Sequence, residues 1–183
     1  MTDGTAPPRR GPDGKGHVHH GFAEALDSTY PDVLATPEEW RTNGQTVWFT
    51  GHSLGGAPAM LAGARMFLEE SRLAADGVCT FGQPRTCDPT LADAYNKGYK
   101  NRTYRFVNNN DIVPQLPPEP FYTHANALRY IDSHGRIRAS MPLIGGVADR
   151  VSGPTADVLA PASDGVRDHF IDSYLKVLEK NLD

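Results

Sequence analysis

The segment Gly51-His52-Ser53-Leu54-Gly55 sets a serine between two glycines, after a short apolar run and before a stretch rich in Ala and Leu. A serine on a tight turn between a strand and a helix is typical of an activated nucleophile. Glycines at positions 51 and 55 would let the strand and the helix approach closely. The backbone N–H of Leu54 would face a developing oxyanion at the positive end of the helix. The spacing predicts a nucleophile elbow, in which His52 is a packed structural residue that projects away from Ser53.

A serine hydroxyl needs a base that accepts its proton and an acid that holds this base. In hydrolases with this turn the acid follows the serine along the chain, and the histidine follows the acid. Asp111 is the candidate acid because it comes after a predicted strand. Parallel α/β sheets assemble their sites at the carboxyl ends of their strands. The candidate bases are His169, before the last predicted helix, and His124, after a proline-rich loop. The residues alone leave both open, whereas His134 lies in a surface-type turn.

Short strands and helices alternate along the chain after His17. Runs rich in β-branched and aromatic residues predict strands at 45–50, 77–81, 103–107 and 127–132. Apolar residues at helical spacing predict helices over 21–34, with a break near Pro31, and over 57–73 and 168–178. This alternation predicts an α/β fold with a mostly parallel sheet covered on both faces. We expect one domain over 17–183, preceded at 1–16 by a mobile tail or a loop remnant, because Val, Ile, Leu and aromatic residues are lacking there.

The composition excludes several other classes of protein. With 18 Lys and Arg against 22 Asp and Glu and no basic block, nucleic acid is not an expected partner. No stretch approaches the roughly 18 apolar residues of a membrane span. The first sixteen residues lack an apolar leader, so a cytosolic or passively released protein is the default expectation. We expect no metal or cofactor, since the histidines near residue 17 lack a carboxylate or cysteine at ligand spacing.

Five segments taken together resemble the class 3 lipases, the family of the fungal triacylglycerol lipases and their bacterial relatives. They are Val18–Phe22, Gly51–Gly56, Thr80–Arg85, Arg105–Pro114 and Asp168–His169. The resemblance extends over residues 18–181 and implies an α/β-hydrolase fold. It also implies hydrolysis of carboxylic esters, with acylglycerols as the substrate class and no cofactor.

The resemblance assigns a role to each candidate of the site. It implies Ser53 as the nucleophile, Asp111 as the acid and His169 as the base, and it favours His169 over His124. The triad does not name its acceptor, so an acyltransferase or a thioesterase is an alternative. A further alternative is a catalytically impaired fragment or interaction module that retains the elbow.

The family carries several strands, a loop with a second oxyanion donor and a lid helix before the segment that matches Val18–Phe22. Only sixteen residues precede His17. We therefore expect this chain to lack the first strands, that loop and the lid. The strand near residues 46–50 would then have an unpaired edge, which favours self-association.

Overall fold

A computed structural model of the chain describes residues 7–125, 128–141 and 160–182. Its strands form a small antiparallel ribbon and a five-stranded sheet in which sequence order and spatial order agree. The ribbon strands are β1 (Arg9–Arg10) and β2 (His17–Val18). The sheet strands are β3 (Trp48–His52), β4 (Gly77–Phe81), β5 (Thr103–Asn108), β6 (Leu128–Ile131) and β7 (Ile137–Arg138). Strands β3 to β6 are parallel, and β7 is antiparallel to β6.

Helices cover both faces of this sheet. They are α1 (His20–Asp27), α2 (Tyr30–Trp40), α3 (Gly56–Glu69), α4 (Pro89–Tyr99), α5 (Ala160–His169) and α6 (Ile171–Glu179). On one face Gly63 of α3 lies close to Val78 of β4. A Cβ on Gly63 would sit 2.5 Å from the Val78 side chain. On the other face the buried ring of Tyr174 in α6 meets Phe81 edge-on at 6.0 Å. The mostly parallel α/β sheet predicted from the sequence is confirmed.

Two of the predicted helices are divided in the structure. The helix predicted over 21–34 breaks at residues 28–29. Pro31 belongs to the first turn of α2, where an N–H would have no partner within the helix, so proline is tolerated there. The last breaks at Phe170, whose extended backbone separates α5 from α6. As a result His169 is the final residue of α5 and not, as expected, the opening of the last helix.

Of the two alternatives for the first residues, the mobile tail does not describe residues 7–16, which form a turn and a short strand. The backbone of this segment turns through glycines at φ +65° and +54° and returns to pair as β1 with β2. Arg9 then forms an ion pair of 2.7 Å with Asp27 of α1, and the Asp13 N–H donates to Glu69 of α3. Composition alone did not predict this order because the segment is held by charges and turns rather than by apolar burial.

Strand β3 lies at one end of the sheet. In the described part of the chain it hydrogen-bonds only with β4. The Trp48 side chain is half exposed, and Thr50 is exposed. The unpaired edge expected for this strand is therefore present within the described residues. No helix in those residues is long and apolar enough to cross a membrane.

Candidate active site

The elbow serine has a strained backbone at the carboxyl end of β3. Ser53 adopts φ +55°, a left-handed conformation that costs a non-glycine residue roughly 1–3 kcal/mol and that is concentrated at functional sites. A Cβ at Gly51 would lie 2.3 Å from the Gly55 carbonyl oxygen, so this glycine is required by close approach. The expectation that Gly55 is also required for close approach of the strand and the helix is wrong, because a Cβ there would meet nothing within 4 Å. The turn that raises Ser53 therefore depends on the smallness of Gly51.

Three side chains from distant parts of the sequence form a continuous hydrogen-bonded chain. The Ser53 Oγ lies 2.6 Å from Nε2 of His169. The Nδ1 of the same ring lies 2.9 and 3.0 Å from the two carboxylate oxygens of Asp111. With Nδ1–H donating to the carboxylate, Nε2 keeps its lone pair directed at the serine hydroxyl. This geometry is that of a nucleophile, a base and an orienting acid.

The Asp111 carboxylate is buried and satisfied by several donors. Its side chain is 1% exposed, and it accepts the Tyr174 hydroxyl at 2.6 Å and the Val113 N–H at 3.0 Å. Burial and then the charge of Asp111 raise the pKa of Tyr174 far above its usual value, so the phenol remains a donor. Tyr174 in turn accepts the N–H of Asn108 at 3.0 Å. The acid is therefore fixed by its own loop and by α6.

Asp168 ties the loop that carries the acid to the helix that carries the base. Its carboxylate accepts the side-chain amide of Asn109 and the N–H of Asn110, both at 3.1 Å. The Asn108 side chain donates to the Asp168 carbonyl at 3.0 Å. Burial raises the pKa of Asp168, although these donated bonds oppose the shift. The residue before the base thus sets the distance between Asp111 and His169.

Gly82, which the sequence suggests only as the end of a strand, lies against the acid–base pair. It has φ +59°, and a Cβ there would sit 2.7 Å from Asp111 Oδ2 and 2.9 Å from His169 Nδ1. Its N–H donates to the Phe106 carbonyl, so it is bound to β5 as well. Because residue 82 has no side chain, Asp111 and His169 can occupy the volume in which a Cβ would lie.

The other histidines of the sequence analysis have different places. His124 donates through Nε2 to the Pro114 carbonyl at 2.7 Å and is not part of the Ser53 hydrogen-bonded chain. Burial and the charge of Arg105 hold the pKa of His124 well below its usual range. His134 is exposed in the turn between β6 and β7. His52, which was expected to be a packed residue that projects away from Ser53, stacks its ring on that of His169.

Three exposed apolar side chains lie on the segments that carry Ser53, Asp111 and His169. Leu54 is 61% exposed beside the nucleophile, Ile112 is 41% exposed beside the acid, and Val166 is 52% exposed on α5. Ile112 is next to α5, since a Cβ at Gly165 would lie 3.5 Å from the Ile112 Cβ. The site therefore opens through an apolar rim. In the described ranges no group of three or more His, Cys, Asp or Glu side chains is placed to hold a metal ion.

A serine elbow after β3, an aspartate after β5 and a histidine near the last helix, on a mostly parallel sheet, define an α/β-hydrolase. A profile of the family described as "Lipase (class 3)" matches residues 1–121. The chain therefore belongs to the class 3 lipase family, and the resemblance seen in the sequence is confirmed.

Individual relatives agree with this assignment. The chain is 36% identical over 121 residues to a lipase from Rhizopus niveus, which covers 63% of this chain and 31% of that protein. It is 34% identical over 118 residues to the secreted mono- and diacylglycerol lipase 1 of Fusarium solani, with 63% and 34% covered. The solved triacylglyceride lipase of Rhizomucor miehei superposes with a TM-score of 0.65 at 27% identity, over 86% of this chain and 62% of that one.

The match spans about a third of the length of these curated relatives. The Fusarium solani relative is a secreted protein. This relative argues against the cytosolic default that the first sixteen residues suggest. The location of this chain, cytosolic or secreted, stays a prediction.

Proposed function

We propose that this chain hydrolyses carboxylic esters, with acylglycerols as the substrate class. The observation that carries the proposal is the continuous hydrogen-bonded chain from Ser53 through His169 to Asp111. A serine hydroxyl is a weak nucleophile until a positioned base accepts its proton. Here His169 is in hydrogen-bonding distance of both Ser53 and Asp111, so the reacting groups are already arranged.

In the first half of the reaction Ser53 attacks the ester carbonyl. His169 takes the hydroxyl proton through Nε2, and Asp111 stabilises the imidazolium and holds the ring in the required tautomer. The carbonyl oxygen becomes an oxyanion, which accepts the N–H of Leu54 in the 3-10 turn Ser53–Gly55. This N–H is at the N-terminal end of α3, where backbone donors lack partners within the helix.

The first half ends when the imidazolium of His169 gives its proton to the leaving alcohol as the ester bond breaks, and the acyl group stays on Ser53 as an ester. In the second half the acyl group is passed to water, which loses a proton to His169 and attacks the acyl carbon. The imidazolium then returns this proton to Ser53 Oγ as the acyl–serine bond breaks, which releases the acid and restores the serine. Each half-reaction uses the same oxyanion position beside Leu54.

The substrate class rests on the apolar rim and on the relatives. An acyl chain gains about 0.8 kcal/mol for each methylene removed from water, which favours binding between Leu54, Ile112 and Val166. The matched relatives include a mono- and diacylglycerol lipase. The two cysteines are not competing nucleophiles, because burial raises the pKa of Cys79 to about 11 and that of Cys87 to about 12.

Labelling with a fluorophosphonate ester tests the proposal directly. This probe modifies a serine only when a neighbouring base activates it, so we expect Ser53 alone to be labelled in the folded chain. Peptide mapping locates the modified residue, and Ser53→Ala should remove both the label and the hydrolysis of p-nitrophenyl butyrate. Labelling of a different serine, or none in the folded chain, would contradict the proposal.

We also propose that the chain self-associates through the open edge of β3. An unpaired strand edge without a charge or a proline pairs readily with a strand of another molecule. Sedimentation of the purified chain should show dimers or larger species, and Thr50→Lys, which charges the edge, should shift them toward monomer. A chain that sediments as a monomer at all concentrations would refute this part of the proposal.

A further inference from the structure

His52, the residue before the proposed nucleophile, contacts both the backbone and the ring of His169. Its Nε2–H donates to the backbone carbonyl of His169 at 2.7 Å. The two imidazole rings stack with centroids 4.8 Å apart and 28° between their planes. On another side the His52 ring meets Tyr174 edge-on at 6.0 Å, and Tyr174 is the donor that holds Asp111. The ring is thus packed between the base and the support of the acid.

We propose that His52 is a positioning residue that orients His169 and stabilises its protonated form. This inference rests on the proposed function and adds a group to it, because the ring makes no contact with the reacting carbonyl in the mechanism above. A helix-packing role alone would need neither the donated hydrogen bond nor the parallel arrangement of the two rings.

The hydrogen bond fixes the backbone of the base. His169 is the last residue of α5, where carbonyl groups lack partners within the helix. The donated N–H of His52 satisfies one of these carbonyls and ties the end of α5 to the strand that carries Ser53. The base is therefore fixed to the nucleophile by a second connection besides the bond between Nε2 and the serine hydroxyl.

The stacked ring acts on the charge that appears during the reaction. A cation within about 6 Å of an aromatic face is attracted to it, and the centroid distance of 4.8 Å is inside that range. Because the carbonyl requires a donor, His52 carries a proton on Nε2, and the face of its ring is stacked on the ring of the base. The attraction exists only while His169 is protonated, so it favours the transition state over the resting enzyme.

Other titratable groups also face the pair, and they stay in place when His52 is replaced. Asp111 lies on the Nδ1 side of His169, Tyr174 contacts both His52 and Asp111, and Asp168 precedes the base on α5. All three are present in every variant compared below. A change that follows the ring at position 52 is therefore separable from their contributions.

The test compares two substitutions at position 52 with a remote control. His52→Ala removes the ring and the hydrogen bond, and His52→Phe keeps a ring without the donor. His134→Ala controls for loss of a histidine, since residue 134 is exposed in the β6–β7 turn. The measurements are kcat and KM for p-nitrophenyl butyrate from pH 5 to 9, and the NMR titration of the His169 ring in each folded variant.

We expect His52→Ala to lower kcat about 3- to 30-fold with little change in KM. We also expect it to move the NMR midpoint and the acid limb of the activity profile down by about half a pH unit. His52→Phe should restore the midpoint and recover part of kcat. An unchanged midpoint in His52→Ala, or equal midpoints in Ala and Phe variants that both differ from the parent, would overturn the inference.

The NMR arm separates this inference from the proposed function. If the parent chain hydrolyses no more ester than Ser53→Ala, the proposed function fails, whereas the His169 titration still reports whether the ring at position 52 stabilises the protonated base. Circular dichroism of each variant confirms folding before the titrations are compared.

Discussion

Gly82→Ala is the substitution with which the structure makes its sharpest prediction. The added methyl group would sit 2.7 Å from Asp111 Oδ2, 2.9 Å from His169 Nδ1 and 3.0 Å from His169 Cε1. Ordinary van der Waals contact begins near 3.4 Å, so the carboxylate has to retreat by about 0.7 Å. Asp111 is also held by Tyr174 and Val113, and it cannot retreat without losing alignment with those donors.

The cost divides into a backbone part and a contact part. A non-glycine residue at φ +59° costs roughly 1–2 kcal/mol of folding free energy wherever it occurs. Misplacement of reacting groups by about 1 Å costs on the order of a hundredfold in rate. A shift of about 0.7 Å at the acid–base pair therefore predicts a fall in kcat of about 10- to 100-fold, with KM nearly unchanged.

Gly44→Ala is the matched control for this experiment. Gly44 has φ +73°, and a Cβ there would meet nothing within 4 Å, so the variant carries the backbone cost without the contact. Urea unfolding should show the backbone cost in both variants and a further loss from the contact in Gly82→Ala, while kcat for p-nitrophenyl butyrate and the rate of fluorophosphonate labelling fall only in Gly82→Ala. If the two variants are active to within about threefold of each other, the reasoning about Gly82 is refuted.

Three further predictions follow from the same contacts. His169→Ala should reduce kcat by several orders of magnitude, to the level of Ser53→Ala, whereas His124→Ala should cost far less; the reverse order of severity would contradict the assignment of the base. Tyr174→Phe removes a hydrogen bond to a buried carboxylate, so we expect urea unfolding to show a loss of about 2 kcal/mol, together with a roughly tenfold lower kcat. Burial raises the pKa of Asp132, but bonds from two backbone N–H groups and an arginine of β7 outweigh it and hold the pKa below its usual value. Asp132→Asn should therefore lower the free energy of unfolding by about 1–2 kcal/mol at pH 7. This difference should disappear as the pH falls through the depressed carboxyl pKa, below 3.8. A loss that does not change with pH in urea titrations would contradict this sign.

The parts of the site that depend on local sequence were predictable. The elbow at Ser53 is a contiguous segment whose strain and glycine spacing are encoded within five residues, and Asp111 follows directly from its position after a strand. The proposed base was harder to choose, because His169 lies 116 residues from Ser53 and His124 satisfied the same chain order. Only the family resemblance favoured His169 before the geometry was known.

The features that the sequence did not predict arise where separate segments meet. The importance of Gly82 comes from the convergence of Asp111 and His169 on one point, and nothing next to residue 82 indicates it. Helix α4 was not among the predicted helices, although Asp88 caps it through the Leu91 N–H at 2.9 Å. The contact of His52 with the base likewise depends on a segment more than a hundred residues away.

Under the proposed function, the order of the three site residues along the chain governs when a newly made molecule could become active. A ribosome synthesises the elbow and the acid first, and the base follows 116 residues after Ser53. Until α5 and α6 have been made and packed, Ser53 has no proton acceptor and Asp111 lacks the hydroxyl of Tyr174. A nascent chain that has only its first two-thirds outside the ribosome therefore has no activated serine. Capture of ribosome-bound chains by a fluorophosphonate probe would report the docking of the last helix.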